Sequence, residues 1–312
     1  MLHLLSPAIP AQTEELRHQF VVAEPFRHIV VDSFLHPAYL DRLAAEFPAF
    51  NSASARNEFG EVGRKSVRQD LPALGGAYAE FDRLLQSPEF LQLIRQITGI
   101  PDLLYDPAYI GGGTHENLDG QDLDPHIDFN YHPQFKWHRR LNLILFLNHG
   151  WDQSWGGALE LHLDPSLPAA ENRIQTIDPV ANRCVIFETT ETSWHGFRRI
   201  DLPEGKKHLS RRSIAVYFYT RERPPEQTAA AHATIYVQRP LPGHIRPGHT
   251  LSEHDVEEIQ TLLARRDKQI QFLYDREKEF HASIERSVSY RLGLLLTWPL
   301  RRLRRAIKQS AH

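Results

Sequence analysis

A chain of 312 residues can bury one large catalytic domain with an appendage, or two domains. Its formal net charge of −3 gives no general attraction to nucleic acid, and no run approaches the ~18 consecutive apolar residues of a membrane span. The single cysteine, Cys184, excludes an intramolecular disulfide and lies in an apolar run typical of a buried thiol. The N-terminus lacks the pattern of a signal peptide, so we expect a cytoplasmic protein with no nucleic-acid partner.

The first third of the chain is predicted to support a β-rich core. Residues 1–20 are predicted to be a loose lead-in, and alternation predicts a strand within 26–35. Apolar spacing predicts a helix over 37–47, and one or two helices over 81–97. The polar stretch 51–70 is predicted to be a loop.

From residue 103 the pattern changes to short β-branched and aromatic runs separated by Gly, Pro, Asn and Asp. The runs lie near 105–110, 141–147, 158–163, 174–178, 183–187, 194–200 and 212–220. Many short strands of this kind favour a sandwich or jelly roll. The predicted fold class is mostly β with supporting helices, with a double-stranded β-helix (jelly-roll) core at about 103–222 in a domain spanning 21–225.

A helical appendage is predicted beyond the β domain. Residues 226–250 carry the Pro and Gly of a linker, and 251–312 follow as a helix with a basic amphipathic tail. Apolar residues recur in this helix at helical or heptad-like spacing, interrupted by Arg266 and Glu277. Two alternatives follow: a helix packed on its own domain, or a homodimerising coiled coil through 252–285.

The final segment, 286–312, contains seven Lys or Arg and no acidic residue, beside Trp298 and several leucines. Such a basic amphipathic end can bind anionic headgroups at the inner face of a membrane. A solvated tail, or docking on a partner, is the alternative.

Two imidazoles and one carboxylate from separate strands could form a metal site. On an extended segment residues i and i+2 point to the same side, so His126 and Asp128 can ligate one ion. His195, after an apolar run, is the candidate third ligand. This set matches the facial triad of non-haem iron(II), which leaves positions open for substrate and oxygen. With 18 histidines a lone His-x-Asp is weak, and a second match begins at His162, where it fits a strand end running into a turn.

A cation follows on the next predicted strand. If the co-substrate is 2-oxoglutarate, its far carboxylate needs a cation, and Arg211 can supply one as a bidentate partner. By alternation Ser213 and Ala215 share the face of Arg211, whereas Arg212 lies on the other face. Small neighbours suit the floor of a pocket.

The region 105–220 resembles the prolyl 4-hydroxylase-like branch of the iron(II)/2-oxoglutarate-dependent oxygenases. The motifs that carry the likeness are His126-Ile127-Asp128, Leu147-Asn148-His149-Gly150-Trp151-Asp152, Gly156-Gly157-Ala158-Leu159-Glu160-Leu161, His195-Gly196 and Arg211-Arg212-Ser213. The resemblance implies a jelly-roll core with Fe(II) on His126, Asp128 and His195. It also implies 2-oxoglutarate on Arg211 and Ser213, and often L-ascorbate to keep the iron reduced.

The likeness departs from the family pattern on the 2-oxoglutarate side. The spacing between the distal histidine and the arginine is longer than usual, which leaves Arg211 and Arg212 as alternatives. Phe146 stands where several relatives have a tyrosine that donates to 2-oxoglutarate, so Asn142 or Tyr109 becomes the candidate donor.

The predicted function is an iron(II)/2-oxoglutarate-dependent dioxygenase that uses O2 to hydroxylate an unactivated C–H bond, with decarboxylation of 2-oxoglutarate to succinate. The substrate alternatives are a prolyl residue of a peptide, or a saccharide or lipid-linked glycan. The glycan is suggested by a short likeness of 287–301 to the ends of bacterial glycosyltransferases.

A zinc-dependent hydrolase on the same ligands would need a general-base carboxylate, and no HExxH is present. A non-catalytic scaffold is the third class. The segment 130–138 is either a substrate lid or a plain connection.

Overall fold

The computed structural model describes residues 1–50, 65–168, 170–237, 241, 244–293 and 295–297. The chain divides into two compact units, Met1–Arg239 and Pro240–His312. The helices of the first unit are α1 (Ala8–Ala11), α2 (Thr13–Val22), α3 (Pro37–Ala45), α4 (Gly76–Gln86) and α5 (Pro88–Thr98). Its strands are β1 (His28–Val31), β2 (Lys65–Arg68), β3 (Leu104–Tyr105), β4 (Gly113–Asn117), β5 (Leu123–Ile127), β6 (His138–Phe146), β7 (Leu159–His162), β8 (Ile174–Ile177), β9 (Cys184–Glu188), β10 (Trp194–Phe197), β11 (Arg211–Thr220) and β12 (Ile235–Tyr236).

Two antiparallel sheets form the core of this unit. The larger sheet has the order β1-β9-β6-β11-β4-β2, with β3 also paired to β11, and the smaller sheet has the order β12-β5-β10-β7-β8. One apolar cluster joins the two sheets: Phe146, Leu159, Leu161, Ile177, Val185 and Phe187. The prediction of a mostly β jelly-roll core with helical support is confirmed.

Alternation along β6 from Leu141 onward, and along β11 up to Phe218, gives the larger sheet its two faces. Leu141, Leu143 and Leu145 of β6 belong to the core cluster shared with α2 to α5, and so do Ile214 and Val216 of β11. The residues between them point to the other face, as a period of two requires. That second face carries the functional groups described below.

Helices α4 and α5 are separated by a capping residue. The Ser87 hydroxyl accepts the Phe90 amide at 3.3 Å, and Pro88 occupies the first helical position of α5. Gly99 ends α5 in the left-handed region at φ 71°. The predicted helical stretch 81–97 is therefore two helices.

The prediction of a loose lead-in over 1–20 is wrong. Helix α2 buries Leu16 and Phe20, and the Arg17 guanidinium donates to the Gln96 carbonyl of α5 at 3.1 Å. Only one residue per turn of α2 is buried, so the apolar pattern is too sparse to predict a helix from sequence.

The strands β2, β4 and β5 were absent from the predicted set. Neither β4 (Gly-Thr-His-Glu-Asn) nor β5 (Leu-Asp-Pro-His-Ile) contains an apolar run that could indicate a strand. β2 lies in the predicted loop 51–70, of which 51–64 fall outside the described residues.

The predicted linker 226–250 contributes to the domain. Its residues Ile235 and Tyr236 form β12, which pairs with Ile127 and His126 of β5. Two residues are too short for a detectable period, which is why sequence patterning assigns them to a linker.

On the outer face of β7, Glu160 is buried beside His162 and bonds to the Arg198 guanidinium. Burial opposes ionisation of Glu160, but the bonds to His162 and Arg198 outweigh it and lower the pKa of Glu160 to about 2. A depressed carboxyl pKa stabilises the fold above the unfolded-state pKa, and this stabilisation is lost as pH falls toward the folded-state pKa.

We expect Glu160→Gln to lower the free energy of unfolding at pH 7 by about 1–3 kcal/mol, a range reduced for solvent screening at the exposed Arg198. The difference from wild type should shrink between pH ~4.5 and ~2. Urea unfolding across pH measures it, with the exposed Glu171→Gln as control. A constant difference down to pH ~2 would contradict the assigned ion pair.

The second unit contains the long helix α6, Glu253–Arg286, which begins at a capping box formed by Ser252 and Asp255. The Asp255 carboxylate accepts bonds from the Ser252 amide and hydroxyl and from the imidazoles of His244 and His249. These contacts satisfy the carboxylate and lower its pKa, so the cluster is a helix cap.

Residues 298–312, which hold most of the predicted basic tail, lie outside the described residues. Among the described residues, no helix has the length and apolar content to cross a bilayer.

Candidate active site

Pairing of β5 with β10 brings the three candidate metal ligands together. His126 and His195 are direct register partners, and their ring centroids lie 4.3 Å apart. Asp128 follows the end of β5 and places its carboxylate oxygens 3.8 Å from His126 Nε2 and 3.4 Å from His195 Nε2. One ligand atom from each residue lies within 4.8 Å of the others, which is a spacing that one ion can bridge.

Backbone carbonyls set the tautomer of both imidazoles. His126 Nδ1 lies 2.9 Å from the Asp124 carbonyl, and His195 Nδ1 lies 2.9 Å from the Ser193 carbonyl. A carbonyl only accepts, so each Nδ1 carries the proton and donates. The Nε2 lone pairs therefore face Asp128, the arrangement usual for histidine ligands of metals.

The Asp128 carboxylate is held from behind by two side chains of β6. Arg139 Nη2 lies 3.0 Å from Asp128 Oδ2, and Asn142 Nδ2 donates to the same oxygen at 2.7 Å. Arg139 also donates to Asn142 Oδ1 from Nε at 3.0 Å and from Nη2 at 2.9 Å. Its guanidinium stacks 3.5 Å from the centre of the Tyr217 ring. The two β6 side chains thus fix Oδ2 of Asp128, which faces His195, while Oδ1 faces His126.

The protonation states of the cluster suit a metal. Burial alone would raise the pKa of Asp128, but the charge of Arg139 and the hydrogen bond from Asn142 oppose it, and this pKa is held well below its usual range. Burial lowers the pKa of His195 despite the neighbouring Asp128. A carboxylate and a neutral imidazole are the forms that bind a cation.

A cavity of about 180 Å³ opens beside the triad and reaches β11. Arg211, Ser213, Ala215 and Tyr217 line it from alternate positions of that strand. The Arg211 side chain is buried, packs over Phe146 and Phe197, and donates from Nε to the Gly157 carbonyl at 2.6 Å. Burial alone lowers the pKa of Arg211 to about 9, with no carboxylate of the described residues acting on it. The cavity is therefore lined by a buried cation that can bind an anion.

Arg212 points away from this cavity. Its Nε contacts Glu116 Oε1 at 3.1 Å, its amide donates to Asn148, and its guanidinium lies over Phe47. Of the two arginines left open by the sequence, the structure places Arg211 in the cavity.

The two predicted replacement donors occupy other roles. The Asn142 amide lines the cavity but donates to Asp128, so it orients that ligand. The Tyr109 hydroxyl donates to Asp82 at 2.9 Å, and the residue does not line the cavity. The prediction of Tyr109 as a co-substrate ligand is therefore wrong, because its left-handed backbone (φ 48°) turns the ring toward the helices.

Two residues of the predicted linker line the cavity, Thr234 and Tyr236. The Tyr236 ring stacks on His126 with centroids 5.1 Å apart. The linker is fastened to the segment 130–138 through Asn130, which donates to the Ala230 carbonyl at 2.8 Å. That segment is itself anchored, since His132 is fully buried 3.2 Å from Asp106. The segment is therefore packed against the domain, and none of its residues is among those that line the cavity.

The second His-x-Asp match lies outside the site. His162 is on the outer face of β7 and bonds through Nδ1 to Asn172, while Asp164 accepts from Ser166 in a turn. The cavity lining includes neither residue.

Comparison with known proteins agrees with this geometry. The model of the 2OG-Fe(II) oxygenase superfamily matches residues 113–219, which enclose the triad and Arg211. Residues 113–219, about a third of the chain, are thus similar to this superfamily. The mouse (Mus musculus) protein named "Prolyl 3-hydroxylase OGFOD1" is 23% identical over 271 residues, or 82% of this chain and 42% of that protein. The chain thus spans less than half the length of that relative.

Solved structures of similar fold include a prolyl-4-hydroxylase of Pseudomonas putida, at 18% identity and TM-score 0.40 over 70% of this chain and 96% of that one. A prolyl hydroxylase of Trichoplax adhaerens, solved with a hypoxia inducible factor peptide fragment, has 16% identity and TM-score 0.47 over 70% and 96%. Because both TM-scores are below 0.5, the likeness to the superfamily rests on the family match over residues 113–219.

Gly157 leaves space for the buried side chain of Arg211. Gly157 lies at φ 72°, and a Cβ there would stand 3.1 Å from Arg211 Cδ and 3.2 Å from a side-chain atom of Ile200. The two glycines before β7 thus permit the left-handed backbone of the turn, and Gly157 also leaves space for Arg211 in the cavity.

We expect Gly157→Ala to displace Arg211 and to weaken 2-oxoglutarate binding by about tenfold, equivalent to the loss of ~1.4 kcal/mol. Calorimetric titration of the iron-loaded protein measures the affinity. The matched control is Gly150→Ala, which has a similar φ of 65° but nothing within 4 Å of the new Cβ. Equal losses in both variants would show that backbone strain alone is responsible.

Proposed function

We propose that this chain is an iron(II)/2-oxoglutarate-dependent dioxygenase that hydroxylates a C–H bond of its substrate. One observation carries the proposal: a buried His126/Asp128/His195 triad and a buried Arg211 without a carboxylate partner among the described residues line one cavity. A buried, uncompensated cation is costly, so it is retained where an anion binds.

The donor set fits iron(II). Two neutral imidazoles and one carboxylate leave three coordination positions and a net positive charge on Fe(II), as in other facial triads. When bound, the iron and 2-oxoglutarate supply the oxygen chemistry, in which one oxygen atom enters the substrate and the other enters succinate as carbon dioxide leaves.

The chain's own residues would bind 2-oxoglutarate, orient the Asp128 ligand and shield the site from water. Arg211 holds the far carboxylate of 2-oxoglutarate, and Ser213 lies beside it on the same face of β11. Arg139 and Asn142 fix Asp128. Phe129 and Tyr236 line the rim and reduce access of water.

Metal-dependent binding of 2-oxoglutarate tests this proposal. Under anaerobic conditions, calorimetry should show 2-oxoglutarate binding that requires Fe(II) and is lost in His195→Ala. Succinate, which lacks the keto group that can chelate iron, should bind much more weakly. Binding that is indifferent to iron would contradict the proposal.

A zinc hydrolase is disfavoured by the cavity lining. Such an enzyme needs a carboxylate to act as general base beside the metal-bound water. Among the described lining residues Asp128 is the sole carboxylate, and it serves as a candidate ligand. An intact triad argues equally against a non-catalytic scaffold.

For the substrate we propose a prolyl residue of a peptide or protein. The name of the mouse relative supports this class, and the aromatic rings of Phe129 and Tyr236 at the cavity rim could pack on a pyrrolidine ring. Mass spectrometry of proline-containing peptides should detect a gain of one oxygen that depends on 2-oxoglutarate. The saccharide or lipid-linked alternative predicts oxidation of a glycan instead, and it rests on 287–301, of which 298–301 lie outside the described residues.

The proposal includes L-ascorbate as the reductant that keeps iron ferrous, and a cytoplasmic location with peripheral membrane contact through 286–312. A buried Cys184, whose pKa burial raises, is compatible with a reducing compartment. Stimulation of turnover by ascorbate, and flotation of the full chain with anionic vesicles, would test the two points.

A further inference from the structure

Helix α6 presents an exposed apolar stripe. Its 34 residues, Glu253–Arg286, extend over about 51 Å. Five apolar side chains on this stripe are between 40% and 63% exposed: Val256, Leu263, Ile270, Leu273 and Phe280. Leu262 is buried within the chain at 4% exposure, and Ile259 and Arg266, one turn before and after it, are half-buried, so the exposed stripe borders this packed face. An extended apolar stripe of this kind marks an interaction site.

The stripe follows a heptad pattern. The a positions are Val256, Leu263, Ile270, Glu277 and Ile284, and the d positions are Ile259, Arg266, Leu273 and Phe280. This seam of a and d positions is apolar except at Arg266 and Glu277. In a coiled coil, charged seam residues lower stability but can specify orientation and register.

One antiparallel register pairs the two interrupting charges. In antiparallel coiled coils an a position faces a d position of the other helix. When Ile270 faces Leu273 of a second copy, Leu263 faces Phe280 and Ile259 faces Ile284. The same register places Arg266 of each copy opposite Glu277 of the other, which gives one pair on each side of the dimer centre. Every layer between 259 and 284 is then either apolar or oppositely charged.

The parallel arrangement lacks this complementarity. In a parallel dimer identical positions face each other, so Arg266 would meet Arg266 and Glu277 would meet Glu277. Like charges brought together across an interface cost several kcal/mol. The same two residues that weaken a parallel coiled coil therefore select the antiparallel one.

We propose that α6 forms an antiparallel homodimer with a second copy of this chain, in which Arg266 of each copy pairs with Glu277 of the other. Such a contact is isologous, because one surface meets itself about a two-fold axis. The dimer leaves the oxygenase chemistry of each chain unchanged.

Charge reversal in the full-length chain tests the pairing. Wild type should sediment as a dimer, and Arg266→Glu or Glu277→Arg alone should raise the dimer dissociation constant by at least ~100-fold, since each creates two like-charge contacts. The double variant should return to within ~10-fold of wild type. Lys268→Glu and Glu285→Arg, which lie off the seam, serve as matched controls and should dimerise normally.

Each outcome decides the proposal. Rescue by the double variant supports the antiparallel register, because a parallel dimer would keep both like-charge contacts after the double exchange. Rescue also separates the pairing from any effect of Arg266→Glu inside its own chain. A monomeric wild type, or a double variant as weak as the single ones, would overturn the proposal.

Disulfide trapping gives a readout that leaves the charges in place. A mixture of Leu263→Cys and Phe280→Cys chains should cross-link, whereas neither variant alone should, because its own two copies lie about 25 Å apart along the helix. The native Cys184 is buried and does not interfere. Cross-linking of Leu263→Cys with itself would indicate a parallel dimer and contradict the antiparallel one.

Discussion

Arg211→Met should lower the affinity of the iron-loaded protein for 2-oxoglutarate by about 10²–10³-fold, because a bidentate charge-assisted contact worth ~3–4 kcal/mol is lost. The same substitution should leave the apoprotein as stable as wild type or more stable, since it removes a buried cation that has no carboxylate partner among the described residues. Calorimetry and urea unfolding measure the two effects. A gain in stability joined to a loss of binding is the mark of a residue retained for function.

Arg212→Met is the matched control for Arg211→Met. Arg212 is adjacent on β11, faces the opposite side and pairs with Glu116. Its replacement should leave 2-oxoglutarate affinity unchanged. If Arg212→Met instead loses the affinity and Arg211→Met keeps it, the assignment of the co-substrate arginine is wrong.

Arg139→Met should weaken Fe(II) binding by about 10–100-fold, the range found when a residue that orients a metal ligand is removed. It should also destabilise the apoprotein by ~3–5 kcal/mol, because Asp128 is left buried without its cation. At the same iron concentration, added iron should stabilise this variant less than wild type, because stabilisation by a ligand falls as its dissociation constant rises. Metal titration and thermal unfolding with and without iron provide the measurements.

Arg140→Met is the control that separates the packing of a buried arginine in β6 from its contact with Asp128. Arg140 is the next residue of β6, is also buried, and pairs with Glu188 at 3.3 Å away from the triad. Its replacement should destabilise the fold and leave iron affinity unchanged. Equal losses of iron affinity in both variants would mean that β6 packing, and not the contact with Asp128, governs the metal.

The sequence predicts the metal cluster because short-range geometry determines much of it. His126 and Asp128 are two residues apart on an extended segment, so they must share a side. The motif order then points to His195 and Arg211. Alternation along β11 is regular over the cavity-lining residues, which is why Ser213 could be placed beside Arg211 from sequence alone.

Arg139 escaped prediction because the strand is irregular where it lies. Alternation from Asn142 would place Arg140 toward the cavity and Arg139 away from it. The register between β6 and β11 shifts by one residue here, since Phe218 faces Leu141 but Tyr219 faces Arg139. This bulge turns Arg139 toward Asp128, and the position of a bulge cannot be predicted from the pattern of a single sequence.

Tyr236 was missed for a different reason. The two-residue strand β12 depends on pairing with β5, more than 100 positions earlier in the chain, and the surrounding Pro and Gly favour a linker. Long-range pairing of so short a strand leaves no local period to detect.

Anaerobic absorbance titration with Fe(II) and 2-oxoglutarate tests the central claim most directly. Bidentate binding of a 2-oxo acid to iron at a His/His/Asp site should give a weak visible charge-transfer band in wild type. We expect His195→Ala to abolish the band and Arg211→Ala to require far more 2-oxoglutarate to produce it. Absence of the band in wild type with iron demonstrably bound would show that 2-oxoglutarate is not the co-substrate of this site.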